Sequence, residues 1–220
     1  MVQIKASTIE FLKKLQRNNN REWFAANKST YYEAKENFEE FITAALAGIV
    51  KFDPVLKGLE ANSCIFRINR DIRFSNDKSP YKTNFGAFIV RGGRKNGDKY
   101  AGYYLHVEPG SPMIAGGAYM PPREWLAAIR EKIVAEPDEF LSILTEKKFK
   151  KFFGGLEGEK LKSAPKGFEK DHKMIEYLKH KDYLAINNLT DKQVLDPGFL
   201  NYYIESAQAM KPFNDFLTVL

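Results

Sequence analysis

Between Arg67 and Lys82 the chain reads R-I-N-R-D-I-R-F-S-N-D-K-S-P-Y-K, setting five cations (Arg67, Arg70, Arg73, Lys78, Lys82) against two carboxylates (Asp71, Asp77). Guanidinium groups are planar, forked donors and lysines are mobile point charges, so this array suits phosphate or carboxylate oxygens. Tyr81 adds a phenol to the ligand-binding set, and Asp71 or Asp77 is available to orient a ligand group or act as a base. The cation excess favours a ligand, because an internal network of these groups would leave positive charge unneutralised. The structural alternative is that the same groups fasten the loop from Ser75 to Tyr81 to the fold.

A further acid–base candidate is His106, which strand alternation places on one face with Tyr104 and Glu108. Its plainer reading is a half-buried histidine bonded to its neighbours. His172 and His180 fall in a charged stretch that reads as an exposed helix. With one cysteine, Cys64, and no paired histidines, no zinc site and no cofactor is expected. A cation held by oxygen ligands from Asp71, Asp77 or Glu108 is the one metal arrangement left open, and the surrounding arginines oppose it. Nucleophile-elbow, P-loop and dinucleotide-binding glycine patterns are absent.

The segment resembles the signature of an uncharacterised, mainly bacterial family, a domain of unknown function marked by R-x-x-R-D-x-R-F followed by D-K-x-x-Y. The matching letters are Arg67, Arg70, Asp71, Arg73, Phe74, Asp77, Lys78 and Tyr81. N-N-R-E-W-F (19–24), G-Y-Y-L-H-V-E-P-G (102–110) and P-K-G-F-E-K-D-H (165–172) are similar to further blocks of that family. The resemblance implies one architecture along most of the chain and carries no reaction.

Periodicity gives the secondary structure around these residues. Ser7 and Glu10 have capping-box spacing before Phe11, Leu12 and Leu15, and Asn18, Asn19 and Asn20 break that helix and can cap the next. Tyr31, Ala34, Phe38, Phe41, Ala45 and Ile49 recur at three and four, the spacing of one buried helical face. From about 63 to 120 the pattern becomes that of strands, predicted at 64–74, 85–90, 100–107 and 113–119, with a hairpin turn at Asn96-Gly97. On the first of these, Arg67, Asn69, Asp71 and Arg73 share one face, while Phe66, Ile68, Ile72 and Phe74 share the core face with Arg70. Arg70 then needs a carboxylate or a bend, such as a bulge near 69–71. Parity also predicts that His106, Tyr104 and Glu108 share the sheet face of the polar row.

Helical patterns return after Pro121-Pro122, Pro137 and Asp196-Pro197, and Pro212 is expected to kink or end the last helix. In K-K-F-K-K-F-F (147–153) the phenylalanines read as core and the lysines as a helix C-terminus, rather than as a nucleic-acid or membrane contact. The basic loop 91–99 reads as a hairpin tip, with phosphate contact as the alternative. Gly116-Gly117 reads as a tight turn, or as a ligand approach before a helix.

Helices, then strands, then helices argue for an α+β fold with a mainly antiparallel central sheet. One domain over 1–220 is expected, with helices at about 7–52, the sheet at about 63–120 and a mainly helical part at about 121–220. A 220-residue chain that is 44% apolar can bury a large core. No run near 18 apolar residues and no leader pattern is present, and the lone cysteine suits a reducing compartment, so a cytoplasmic location is expected. The net charge of +6 suits anionic partners. The leading expectation is an anionic, for example phosphorylated, small ligand bound in a basic pocket, with catalysis through Asp71, Asp77 or His106 as an extension. The alternatives are a nucleic-acid-associated module and an interaction scaffold with a structural Arg/Asp network.

Overall fold

The computed structural model describes residues 2–219, and in it helices at both ends pack on a four-stranded antiparallel sheet, an α+β fold. Helix α1 (Ala6–Arg17) buries Ile9, Phe11, Leu12 and Leu15. Its capping is tertiary rather than the expected Ser7/Glu10 box. Asn37, buried in α3, accepts from the Lys5 backbone N–H (2.9 Å) and the Thr8 hydroxyl (2.8 Å). Asn20 does cap α2 (Arg21–Ala26), accepting from the Trp23 N–H at 2.8 Å. Helix α3 (Lys28–Ile49) carries the aromatic stripe into the core, with Phe38, Phe41, Ala45 and Ile49 fully buried.

A single turn, α4 (Ala61–Cys64), precedes the signature segment. Strands β1 (Phe85–Ile89), β2 (Gly102–Val107) and β3 (Met113–Ala118) form the expected meander. Helices α5 (Arg123–Ala135), α6 (Pro137–Thr145), α7 (Lys147–Phe153) and α8 (Ile175–Leu178) follow. Strand β4 (Tyr183–Asn188), short α9 (Asp191–Val194) and α10 (Phe199–Leu217) complete the fold. The β4 strand lies inside the part expected to be mainly helical and pairs antiparallel with β3.

Register separates two faces of this sheet. Phe85, Ala87, Ile89, Tyr103, Leu105, Val107, Ile114, Ala118, Tyr183 and Ala185 lie on the face that α3 and α10 cover, and all are buried. A Cβ at Gly116 would stand 2.1 Å from Met210 Sδ of α10, so this glycine serves close helix–sheet packing, and neither the expected turn nor a ligand approach. The opposite face presents Phe88, Tyr104, His106, Met113, Leu184 and Ile186, all only partly buried.

The first predicted strand is corrected. Residues 64–74 join the sheet only through the single bridge Ile65↔Ala87 and a Phe66 N–H to Gly86 C=O bond of 2.9 Å. The chain then folds back on itself, with the bridge Asn69↔Tyr81 and bonds from Arg70 N–H to Pro80 C=O (2.9 Å) and Lys82 N–H to Ile68 C=O (2.7 Å). Strict alternation therefore fails: Ile68 is buried, but Phe74, expected in the core, is 96% exposed.

Other expectations change too. Gly97 is right-handed (φ −66°), while Gly92 and Gly93 take the positive φ values, so the β1–β2 connection is a long loop with a 3-10 turn at Arg94–Asn96. Pro212 sits inside α10, which runs past it. The lysine–phenylalanine run is its own helix, α7, capped by the Glu146 side chain, with Phe149, Phe152 and Phe153 buried.

Candidate functional site

The signature segment is built in two parts. Its tip, from Arg70 to Ser79, closes on itself. Arg70 Nη1 donates to Asp77 Oδ2 and to Ser79 Oγ, and Nη2 reaches Ser75 Oγ at 3.3 Å, so the carboxylate that Arg70 needs is Asp77. Ser79 donates its backbone N–H (2.8 Å) and hydroxyl (2.9 Å) to the same carboxylate. Arg73 binds Asp71 in a forked pair through Nε (2.9 Å) and Nη2 (2.7 Å), and Lys78 Nζ donates to the Ile72 carbonyl at 3.0 Å. The Arg73 side chain lowers the Asp71 pKa to about 2. Arg70, followed by Ser79, does the same for Asp77. Both carboxylates therefore stay ionised at neutral pH and are poor bases there.

The base of the segment differs. Arg67 is exposed and makes no hydrogen bond or ion pair among the described residues, its charge reaching Asp71 only weakly. Lys82 is half-buried, with its ammonium 5.2 Å from the Phe66 ring and no hydrogen-bond acceptor among the described residues. Burial lowers the Lys82 pKa, and the positive charges of Arg67 and Arg94 push the same way. Arg94 is held by its donations to the Asn62 and Ser63 carbonyls at 2.9 and 3.0 Å. The loop 91–99 therefore delivers a fixed cation to this place, and is more than a hairpin tip.

Tyr81 is an anchor. It is buried, stacks on Phe24 at 3.9 Å between centroids, and exchanges backbone bonds with the Asn19 side chain (2.9 and 3.1 Å). Two stretches that sequence reading set apart, 19–24 and 67–82, thus meet here.

Next to Phe66, whose ring lies edge-on to Tyr104 at 6.3 Å, a polar series runs along β2. His106 Nε2 lies 3.1 Å from Glu108 Oε2, and Nδ1 lies 2.9 Å from the Tyr104 hydroxyl and 3.3 Å from Asn84 Nδ2. A carboxylate only accepts, so Nε2 carries the hydrogen, and in the neutral ring Nδ1 accepts from Tyr104 and Asn84. Thr83 donates to the other oxygen of Glu108. Burial works to raise the Glu108 pKa, but the bonds from Thr83 and His106 outweigh it and hold the group below its ordinary value. Burial, with the Glu108 charge second, raises the Tyr104 phenol to about 12. Hydroxyl, imidazole and carboxylate stand in series, an order able to pass a proton. Both ring nitrogens are engaged, however, and the phenol stays a neutral donor at pH 7.

His180, expected on an exposed helix, is buried just after α8; burial, then the Lys160 charge, lowers its pKa to about 4. His172 accepts the Met174 N–H at 3.1 Å. Among the described residues no group of three or more His, Cys, Asp or Glu is placed to hold a metal ion, and no helix is long and apolar enough to cross a membrane. Clefts of about 330, 720 and 470 Å³ lie beside Asp53 and Lys211, beside Glu146 and Phe152, and beside Lys132 and Phe216. None of these three is lined by the signature segment. Sequence reading missed Arg94 as a partner of Lys82, along with Asn84 and Thr83; only the cation spacing of loop 91–99 hinted at Arg94.

A family model described as "Conserved hypothetical protein (DUF2461)" matches residues 7–216. No curated protein and no solved structure matches the chain.

Proposed function

The chain belongs to the DUF2461 family, and for it we propose the binding of an anionic ligand, phosphorylated or carboxylated, at Arg67, Lys82 and Arg94 beside Tyr104. One observation carries this reading. Lys82 keeps a half-buried ammonium with no acceptor among the described residues, and the charges acting on it are both positive. Like charges held together without a counter-ion are costly to the free protein and are relieved by an anion. The tip of the segment is read as scaffold, because its carboxylates are already occupied by Arg70 and Arg73.

Binding is favoured over catalysis. The Tyr104 hydroxyl gives its one hydrogen to His106 Nδ1, so it offers a ligand only its oxygen as an acceptor, and His106 and Glu108 hold it in place. The single cysteine, Cys64, is free and buried, which supports a cytoplasmic setting for this activity.

The test is thermal unfolding with inorganic phosphate or sulfate at low ionic strength. Wild type should gain stability with anion concentration as a binding isotherm. Lys82→Met should lose that gain while unfolding no earlier than wild type without anion. Equal anion stabilisation of wild type and Lys82→Met would overturn the reading.

A further inference from the structure

The sheet face beside the cations carries aromatic side chains. Phe88 and Tyr104 are direct cross-strand partners on it, and the row continues through Ala115 and Ile186. Gly86 and Gly102 stand on the same face, and the Tyr104 and Phe88 rings lie over them: a Cβ would stand 2.9 Å from the Tyr104 hydroxyl at Gly86 and 3.0 Å from Phe88 Cε2 at Gly102. The helices pack on the other face, and Phe66, Phe88 and Tyr104 stay partly exposed. Tyr119, 65% exposed just past the end of β3, acts electrostatically on the Tyr104 phenol and so lies at the rim of the same surface.

Phe66 links this surface to the cations, with Lys82 over its ring at 5.2 Å and Tyr104 edge-on at 6.3 Å. Hydrogen-bonding groups of both kinds stand along the edge: the Tyr104 hydroxyl, the Asn84 amide and the Glu108 carboxylate. A ligand matching all three features has a planar heteroaromatic ring, polar edge atoms and a negative group one sugar away. Resting on the anion-site reading above, we infer that the ligand is a nucleoside phosphate, its base lying on Phe88 and Tyr104 and its phosphate held by Arg67, Lys82 and Arg94. Stacking on an aromatic platform tolerates any base, and the cations track phosphate, a combination common to free nucleotides and to single strands.

The experiment compares calorimetric affinities of inorganic phosphate, ribose 5-phosphate, the four nucleoside monophosphates and a ten-nucleotide single-stranded oligothymidylate. Monophosphates should bind at least about tenfold more tightly than ribose 5-phosphate, the contribution of one stacked base. Phe88→Leu should remove that advantage and leave ribose 5-phosphate binding intact. Tyr104→Phe, which keeps the ring, should keep most of it and guards against a folding defect in the first variant. A tighter, steeply salt-dependent affinity for the oligonucleotide assigns the chemistry to a strand, and equal affinities per site assign it to free nucleotides. If phosphate, ribose 5-phosphate and monophosphates bind alike and all depend on Lys82, the anion site stands and the nucleotide inference falls. If none binds, both fall.

Discussion

From Arg70 to Ser79 every charged side chain has a partner within the loop: Arg70 with Asp77, Arg73 with Asp71, and Lys78 with the Ile72 carbonyl. At the base of the same segment, Arg67 and Lys82 have no carboxylate partner among the described residues, and the fixed guanidinium of Arg94 adds a third positive charge. The tip spends its charge on shape. The base keeps its charge available, and the difference lies in what stands opposite. The tip's partners are two to nine residues away and close a local turn, whereas the base faces a sheet strand and a second basic loop.

This contrast is open to experiment. The largest effect is expected from Lys82→Met, which should weaken phosphate binding about 10- to 100-fold, the worth of one charge-assisted hydrogen bond. Calorimetry beside Asp71→Asn, expected to leave affinity unchanged, checks it; equal losses in the two variants would erase the distinction.

Gly86→Ala sharpens the base. A Cβ there would stand 2.9 Å from the Tyr104 hydroxyl and 3.4 Å from Asn84 Nδ2, so the phenol must move off His106. A cost of about 1 to 3 kcal/mol in urea unfolding is expected, the usual range for overpacking. A neutral result would mean that the Tyr104–His106 contact is loosely held.

Arg70→Ala probes the tip. Losing its bonds to Asp77, Ser79 and Ser75 should cost about 1 to 2 kcal/mol with anion affinity unchanged. Arg73→Ala, at an exposed pair, should change neither stability nor affinity measurably.

The two parts also titrate at opposite ends of the pH scale. Lys82 has a folded pKa below its ordinary 10.5, so the unfolded chain holds that proton more tightly and the free protein gains stability as pH rises through the folded value. An anion restores the proton, and phosphate affinity should therefore fall as pH rises through the same window, a slope absent in Lys82→Met. Asp71 and Asp77 are depressed from 3.8 to about 2, so their contribution is complete above 3.8 and is lost as pH falls toward 2. Carboxyl chemical shifts of the tip should stay flat through mild acid; a transition near 4 would show the pairs to be open in solution.

His180 lies outside both parts and gives the internal reference. Its pKa of about 4 against an ordinary 6.5 means that it charges only on unfolding, so its stabilisation is complete above 6.5 and lost as pH falls through about 4. His180→Gln should flatten that part of the stability profile.

Local rules carry a long way in this chain. The 3–4 spacing of Phe38, Phe41, Ala45 and Ile49 demanded a buried helical face, and Pro122 and Pro137 open helices where their fixed φ and missing N–H are tolerated. Alternation and β-branched or aromatic content located β1, β2 and β3, and parity along β2 brought Tyr104, His106 and Glu108 into one series. All of these depend on neighbours within a few residues, which is the range over which side-chain periodicity and backbone propensity act.

What needed the folded chain is of longer range. The stretch 64–74 has the alternation of a strand, yet it bends back because the Arg70 N–H finds Pro80 and the Lys82 N–H finds Ile68, partners no periodicity announces. Helix α1 is capped by Asn37, 29 residues beyond Thr8, in place of the adequate local box. The site itself is of this kind. Composition and spacing determined that Arg67 to Lys82 is rich in cations and short of carboxylates. Which cations would be left without a partner was decided when the β1–β2 loop docked Arg94 on the carbonyls of Asn62 and Ser63, because Coulomb energy follows distance through space and not separation along the chain.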